Sequence, residues 1–261
     1  TIGTLTPHIN HFKMSSGKQL VKGKSGLRMV AVSESERCPF LLEEPHWTED
    51  AQFPNCVKCN RKFDFGHRRH HCRRCGKIFC GKCCNYNVML PRLSFVDPVR
   101  VCEECSHIAK REEEFFERHL KTLCNGAYFI IDESEPLRFL CKLEHHSQRE
   151  LLFECSDQDR AVHEPVMLMK IVSAQLVASE DNTGVSGLIL KYKRQDEMQE
   201  VRLTVVQSPE ELRKQSLTWL VAMQKSIDVD YSKFMRDLHK PLRCCLRFET
   251  SYLVEERAEK K

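Results

Sequence analysis

Between Gly126 and Gln207 short apolar runs alternate with polar or glycine-containing breaks: AYFIID, LRFLCKL, RELLFEC, PVMLMKI, SAQLVA, SGLILKYK and EVRLTVVQ. Each run is strand-sized, so the pattern predicts about seven strands. The period changes after Ser208-Pro209-Glu210-Glu211, which has the form of a helix start with proline at its first position. Leu212, Leu217, Trp219, Leu220, Met223 and Ile227 then fall on one broad face. Before the first strand, Ile108, Phe115, Phe116, His119, Leu120 and Leu123 recur at near-helical spacing, with Glu112-Glu113-Glu114 on the opposite side. This predicts a linker helix of about fifteen residues within 107–124. Residues 1–40 lack sustained periodicity and hold Ser-Gly-Lys and Lys-Ser-Gly clusters, the composition of a mostly disordered lead-in, with Met14 as a candidate start. Residues 230–261 contain Cys244-Cys245, end in a charged run and read as a tail.

Cysteine spacing changes the picture for residues 41–106. Four C-x2-C pairs, Cys56/Cys59, Cys72/Cys75, Cys80/Cys83 and Cys102/Cys105, supply eight thiolates, enough for two tetrahedral zinc sites. Such a pair fits on one tight turn and gives half a site, and the metal closes loops too short to build a core. Only Gly76-Lys77-Ile78-Phe79 separates the second pair from the third, too short a gap for those two to fold back onto one ion. An interleaved cross-brace is therefore expected, with Cys56, Cys59, Cys80 and Cys83 on one zinc and Cys72, Cys75, Cys102 and Cys105 on the other. The other seven cysteines have no metal spacing and are expected to be reduced structural thiols.

Charge is concentrated in the same stretch. Residues 56–105 hold eleven Lys or Arg against Asp64, Asp97, Glu103 and Glu104, while the chain as a whole carries only +4. Its densest part, Arg68-Arg69-His70-His71-Cys72-Arg73-Arg74-Cys75-Gly76, sets forked phosphate donors between metal ligands. A surface of this sign attracts anionic lipid and equally attracts nucleic acid.

Three motifs in order around the cysteines make the stretch resemble the FYVE zinc fingers: Trp47-Thr48-Glu49-Asp50 as WxxD, the RRHHCRRCG run, and Arg100-Val101-Cys102 as RVC. That resemblance implies binding of phosphatidylinositol 3-phosphate on the cytosolic face of endosomes. Carried over residue by residue, it implies that Arg69, Arg73 and Arg100 hold the 3-phosphate and Arg68 the 1-phosphate. His71 and Asp50 would take the inositol hydroxyls, and His70 joins the lipid-binding set. The family's apolar loop tip corresponds here to Phe65, expected to enter the bilayer; Phe63 and Trp47 are assigned structural roles. Gly66 and His67 make this tip less apolar than is usual in the family, so avidity is expected to matter.

With 41% hydrophobic residues the chain has material for a second core. Seven strands followed by one helix containing a Trp is the element order of a pleckstrin-homology-like (PH-like) domain, with Trp219 as its core Trp. The acidic stretch 132–136 stands where inositide-binding members of that superfold are basic, so protein binding or packing is expected of this domain, with a second phosphoinositide site as the alternative. The expected architecture is α+β: a two-zinc cross-brace finger at 41–106, a linker helix at 107–124, and a PH-like seven-stranded curled antiparallel sheet or barrel with a C-terminal helix at 125–229. A FYVE protein of this order implies a cytoplasmic adaptor, peripheral on early endosomes, that regulates focal adhesion disassembly and cell migration with focal adhesion kinase as partner.

Two other classes fit less well. A RING-type ubiquitin ligase also uses a two-zinc cross-brace, but its C-x-H ligand pattern is missing and it would leave the WTED and RRHHC runs unexplained. A nucleic-acid-binding zinc module rests on phosphate attraction alone, which is unspecific. No Walker loop, no G-x-S-x-G and no open zinc position points to catalysis, and apolar runs of strand length predict no transmembrane segment.

Overall fold

The computed structural model describes residues 12–13, 17–23, 25–131, 137–155, 163–179 and 184–234. The start of the lead-in, the acidic stretch 132–136 and the tail from 235 lie outside the described residues. The chain divides into two compact units, Thr1–Leu120 and Lys121–Lys261.

In the first unit β1 (Phe12–Lys13), β2 (Lys18–Gly23) and β3 (Gly26–Ala31) form an antiparallel sheet in that order. Two short ribbons follow: β4 (Arg69–His71) pairs with β5 (Ile78–Cys80), and β6 (Tyr86–Val88) with β7 (Val99–Val101). Leu42, Phe63, Ile78, Phe79, Leu90, Leu93, Phe95, Val101 and Ala109 pack with the buried cysteines as one small core.

The β2–β3 hairpin corrects the expectation of a mostly disordered lead-in. Its outer edge is held from far along the chain: Met29 N–H donates to the Ser94 carbonyl (2.8 Å) and Val96 N–H to the Leu27 carbonyl (3.0 Å). A two-stranded hairpin has too little apolar area to stand alone. Its support lies more than sixty residues away, where no local pattern records it.

The helix after the last ribbon begins at Glu103, directly behind the cysteine at 102. It runs as α1 (Glu103–Glu114), a π-helical segment Phe115–His119 and α2 (Leu120–Asn125). It is therefore longer than expected, and Glu112 faces inward. Phe115 packs edge-on against Phe40, their ring centres 5.1 Å apart.

The second unit is built from β8 (Ala127–Ile131), β9 (Arg138–Leu143), β10 (Glu150–Cys155), β11 (Val166–Met167), β12 (Ile171–Ala178), β13 (Val185–Arg194) and β14 (Glu197–Val205). All seven expected strands are present in one sheet, ordered β11-β10-β9-β8-β14-β13-β12, with antiparallel pairing throughout. The fourth is the weakest, two residues followed by a 3-10 turn, Leu168–Lys170.

Helix α3 (Glu210–Phe234) buries Ser216, Trp219, Leu220, Ala222, Met223 and Ile227. Trp219 takes the expected core position: its ring centre is 5.4 Å from that of Phe129, and Nε1–H donates to the Leu123 carbonyl (3.3 Å). Ser216 Oγ–H reaches the Tyr128 carbonyl (2.7 Å), pinning the helix to β8.

Candidate metal centres and basic site

Each C-x2-C pair sits on a turn closed by its own backbone. Asn60 N–H donates to the Cys56 carbonyl (2.9 Å), Gly76 N–H to Cys72 (2.8 Å), Cys83 N–H to Cys80 (3.0 Å) and Ser106 N–H to Cys102 (2.9 Å). The turns bring Cys56, Cys59, Cys80 and Cys83 together in one group and Cys72, Cys75, Cys102 and Cys105 in another, with the sulfurs of each group within 4.8 Å of one another. These are the interleaved sets expected from the spacing.

The donor geometry fits zinc. A tetrahedron with zinc–sulfur bonds of about 2.3 Å has edges of about 3.8 Å, and the Cys59 and Cys80 Sγ atoms lie 3.7 Å apart. Burial raises the Cys56 thiol, but the backbone N–H groups of Cys59, Cys80 and Lys58 outweigh it and lower the pKa to about 6, favouring the thiolate a metal requires. Cys83 of the same set moves the other way, pushed up to about 12 by burial and by the neighbouring thiols, and Cys84, buried beside the ligands, is likewise pushed up to about 12 by burial.

The basic site grows out of the second metal set. Gly76 has φ of +73°, and a Cβ there would lie 2.2 Å from the His46 carbonyl oxygen. Only glycine allows the 46–48 segment to run so close, where Thr48 N–H donates to the Gly76 carbonyl (3.1 Å). WTED is thereby laid against RRHHC. His71 Nε2–H donates to the Thr48 carbonyl (2.8 Å), which fixes the tautomer, and Asp50 Oδ1 lies 3.7 Å from the same nitrogen. The Trp47 ring is 5.0 Å from the His71 imidazole and 5.7 Å from the Arg73 guanidinium. Arg73 Nη1–H donates to the His71 carbonyl (2.7 Å), and Arg73 N–H to the Arg100 carbonyl (3.0 Å). Arg100 in turn donates to the Cys84 carbonyl (3.1 Å).

Asp50, His71, Arg73 and Arg100 are thus joined by direct contacts. The other two arginines rest on the neighbouring loop: Arg69 lies 4.9 Å over the Phe63 ring and Arg68 6.0 Å over Phe65. His70 is opposite Phe79 in the β4–β5 ribbon. Burial, and after it the charges of Arg100, Arg73 and Arg68, hold its pKa below the usual imidazole value. Phe63 is buried and Phe65 is 93% exposed, the division expected of them.

Asp64 was absent from the expected set. Its Oδ1 accepts the N–H groups of Gly66 and His67, both at 2.8 Å, and lies 3.0 Å from His67 Nδ1, closing the tip on which Phe65 stands. The Asp-x-Gly pattern is a local turn signal that could have revealed it. No such signal marks the buried group behind the site. Arg74 donates to Glu112 through Nε (3.0 Å) and Nη2 (2.7 Å), and Arg92 donates to Glu112 through Nη1 (3.1 Å) and to the Phe40 carbonyl through Nε (2.8 Å). Among the described residues no helix is long and apolar enough to cross a membrane.

Comparison with known proteins accounts for both units. Residues 46–111 match the FYVE zinc finger family, and residues 114–233 match the family described as zinc finger FYVE domain-containing protein 21 C-terminus. Mouse zinc finger FYVE domain-containing protein 16 is 44% identical over 88 residues, 33% of this chain and 6% of that protein. Human zinc finger FYVE domain-containing protein 9 is 46% identical over 87 residues, 31% of this chain and again 6% of the relative. Among solved structures, the LM5-1 FYVE domain from Leishmania major is 35% identical, covering 26% of this chain and 82% of that one, with a TM-score of 0.25. The VHS and FYVE tandem domains of Hrs, a protein involved in membrane trafficking and signal transduction, are 37% identical, covering 26% and 30%, with a TM-score of 0.24. The two cysteine groups are the zinc sites of the finger, and a FYVE zinc finger followed by this C-terminal domain makes the chain match the zinc finger FYVE domain-containing protein 21 type.

Proposed function

We propose that the chain is a peripheral membrane adaptor whose finger binds phosphatidylinositol 3-phosphate. One observation carries the reading: the Gly76 contact sets Trp47 beside His71 and Arg73 and Asp50 beside His71, with Arg100 joined to Arg73 through the backbone, while Phe65 projects from the adjacent loop. Forked guanidinium donors suit a phosphomonoester, and a carboxylate beside the ring hydroxyls disfavours a headgroup phosphorylated there. Arg68 and Arg69 complete the phosphate-binding set by leaving their aromatic supports, and His70 lines the same strand. Phe65 enters the bilayer next to the bound headgroup.

The domains in this reading are a finger at 41–106 and, at 125–229, a PH-like module that binds protein or, alternatively, a second lipid headgroup, joined by the helix that opens at Glu103. Placement on early endosomes, a role in focal adhesion disassembly and contact with focal adhesion kinase follow from the family resemblance. Co-precipitation of focal adhesion kinase by the full chain, lost on removal of 125–229, is the check on the last of these. The chain is read as an adaptor with no catalytic role.

The deciding experiment is co-sedimentation of the zinc-loaded protein with liposomes containing one phosphoinositide at a time. Selective pelleting with phosphatidylinositol 3-phosphate, lost in Arg69→Ala and Arg73→Ala at unchanged zinc content, is the expected result. Equal pelleting with every anionic liposome overturns the specific pocket.

A further inference from the structure

The FYVE family match opens at residue 46, but contacts to the basic site begin well before it. Trp47 supports the site, with the His71 imidazole 5.0 Å and the Arg73 guanidinium 5.7 Å from its ring. Its own orientation is set by Glu44, whose Oε1 accepts the indole Nε1–H at 3.2 Å. The β2–β3 hairpin holds that carboxylate from the other side. Arg28 Nη1–H donates to Glu44 Oε2 (2.8 Å) and Ser25 Oγ–H to Oε1 (3.2 Å). Arg28 is anchored in turn: its Nε–H donates to the Leu93 carbonyl (2.8 Å) and its guanidinium lies 5.6 Å over the Phe95 ring.

We propose that the N-terminal hairpin is a positioning element of the headgroup site, in which Arg28 and Glu44 fix Trp47 so that Trp47 fixes Arg73 and His71. A rim arginine free to sample its rotamers must give up that freedom when it captures a phosphate. Seated on an immobile indole, Arg73 has already lost most of it. Arg28 has a second effect, because an unpaired carboxylate at Glu44 would oppose an incoming anion. The ion pair lets Glu44 serve as the indole's acceptor with its charge offset. This inference rests on the phosphoinositide reading of the site and adds residues 25, 28 and 44 to it.

The test uses the full zinc-loaded chain with water-soluble short-chain phosphatidylinositol 3-phosphate. Trp219 is fully buried, so acrylamide quenching of fluorescence reports Trp47. Glu44→Ala should weaken headgroup affinity about three- to tenfold, the cost of ordering one or two side chains anew. It should also raise quenching of the unliganded protein, with zinc content unchanged. Arg28→Ala should do the same, and Arg28→Lys, which keeps the charge, should recover part of the loss. Glu44→Ala leaves the anchors of Arg28 in place, so it answers the question even where Arg28→Ala disturbs the hairpin. Parental affinity and quenching in both alanine variants overturns the positioning role. A parent chain with no preference for the 3-phosphate overturns the reading of the site itself.

Discussion

At Glu112 one carboxylate meets two guanidinium groups with almost no water about them. Removing the shared acid takes the countercharge from two buried guanidinium groups, so Glu112→Ala should cost about 3–5 kcal/mol, far more than an exposed pair is worth. Urea unfolding of the zinc-loaded protein measures this, and a loss below about 1 kcal/mol would contradict the buried network. Asp64 works at the surface instead. Asp64→Ala should leave affinity for soluble headgroup unchanged and weaken liposome binding about two- to fivefold, because the amides under Phe65 lose their acceptor. Comparing titration of short-chain lipid with liposome pelleting separates the two effects. The metal ligands and the arginine run were readable at this scale because each pair or motif is local. Glu112 was not: it stands in a run of three glutamates, and its partners lie 20 and 38 residues away.

Elements were legible where period alone decides. The seven strands of the second unit announce themselves as strand-sized apolar runs, and in β8 strict alternation points Ala127, Phe129 and Ile131 inward. The hairpin β2–β3 failed that test because distant backbone groups complete it. The β13–β14 connection shows how loosely a turn can be written: Gln195 and Asp196 both have positive φ, 47° and 66°, in a two-residue turn that favours Asn-Gly. Replacing the pair by Asn-Gly should therefore stabilise the second unit by about 1 kcal/mol. A higher thermal midpoint is the readout, and a lower one would count against the turn assignment.

For the whole molecule the sequence count of charge overstates what a membrane meets. Two of the eleven basic residues of the finger, Arg74 and Arg92, are internal and paired with Glu112. The two units also differ in what holds them. Chelating zinc should unfold the finger, whose core is interleaved with the cysteines. The second unit has an apolar core of its own, so amide protons of β8–β10 and β12–β14 should stay protected from exchange; their simultaneous loss would show that the units fold as one. The interleaving of the ligand sets also imposes a direction in time. As the chain leaves the ribosome, the first metal set stays incomplete until Cys83 has emerged and the second until Cys105. Arg68, Arg69 and Arg73 precede both closures in the chain. A nascent finger therefore carries Arg68, Arg69 and Arg73 in a chain still without its metals, and the proposed headgroup site is complete only when its final cysteine arrives.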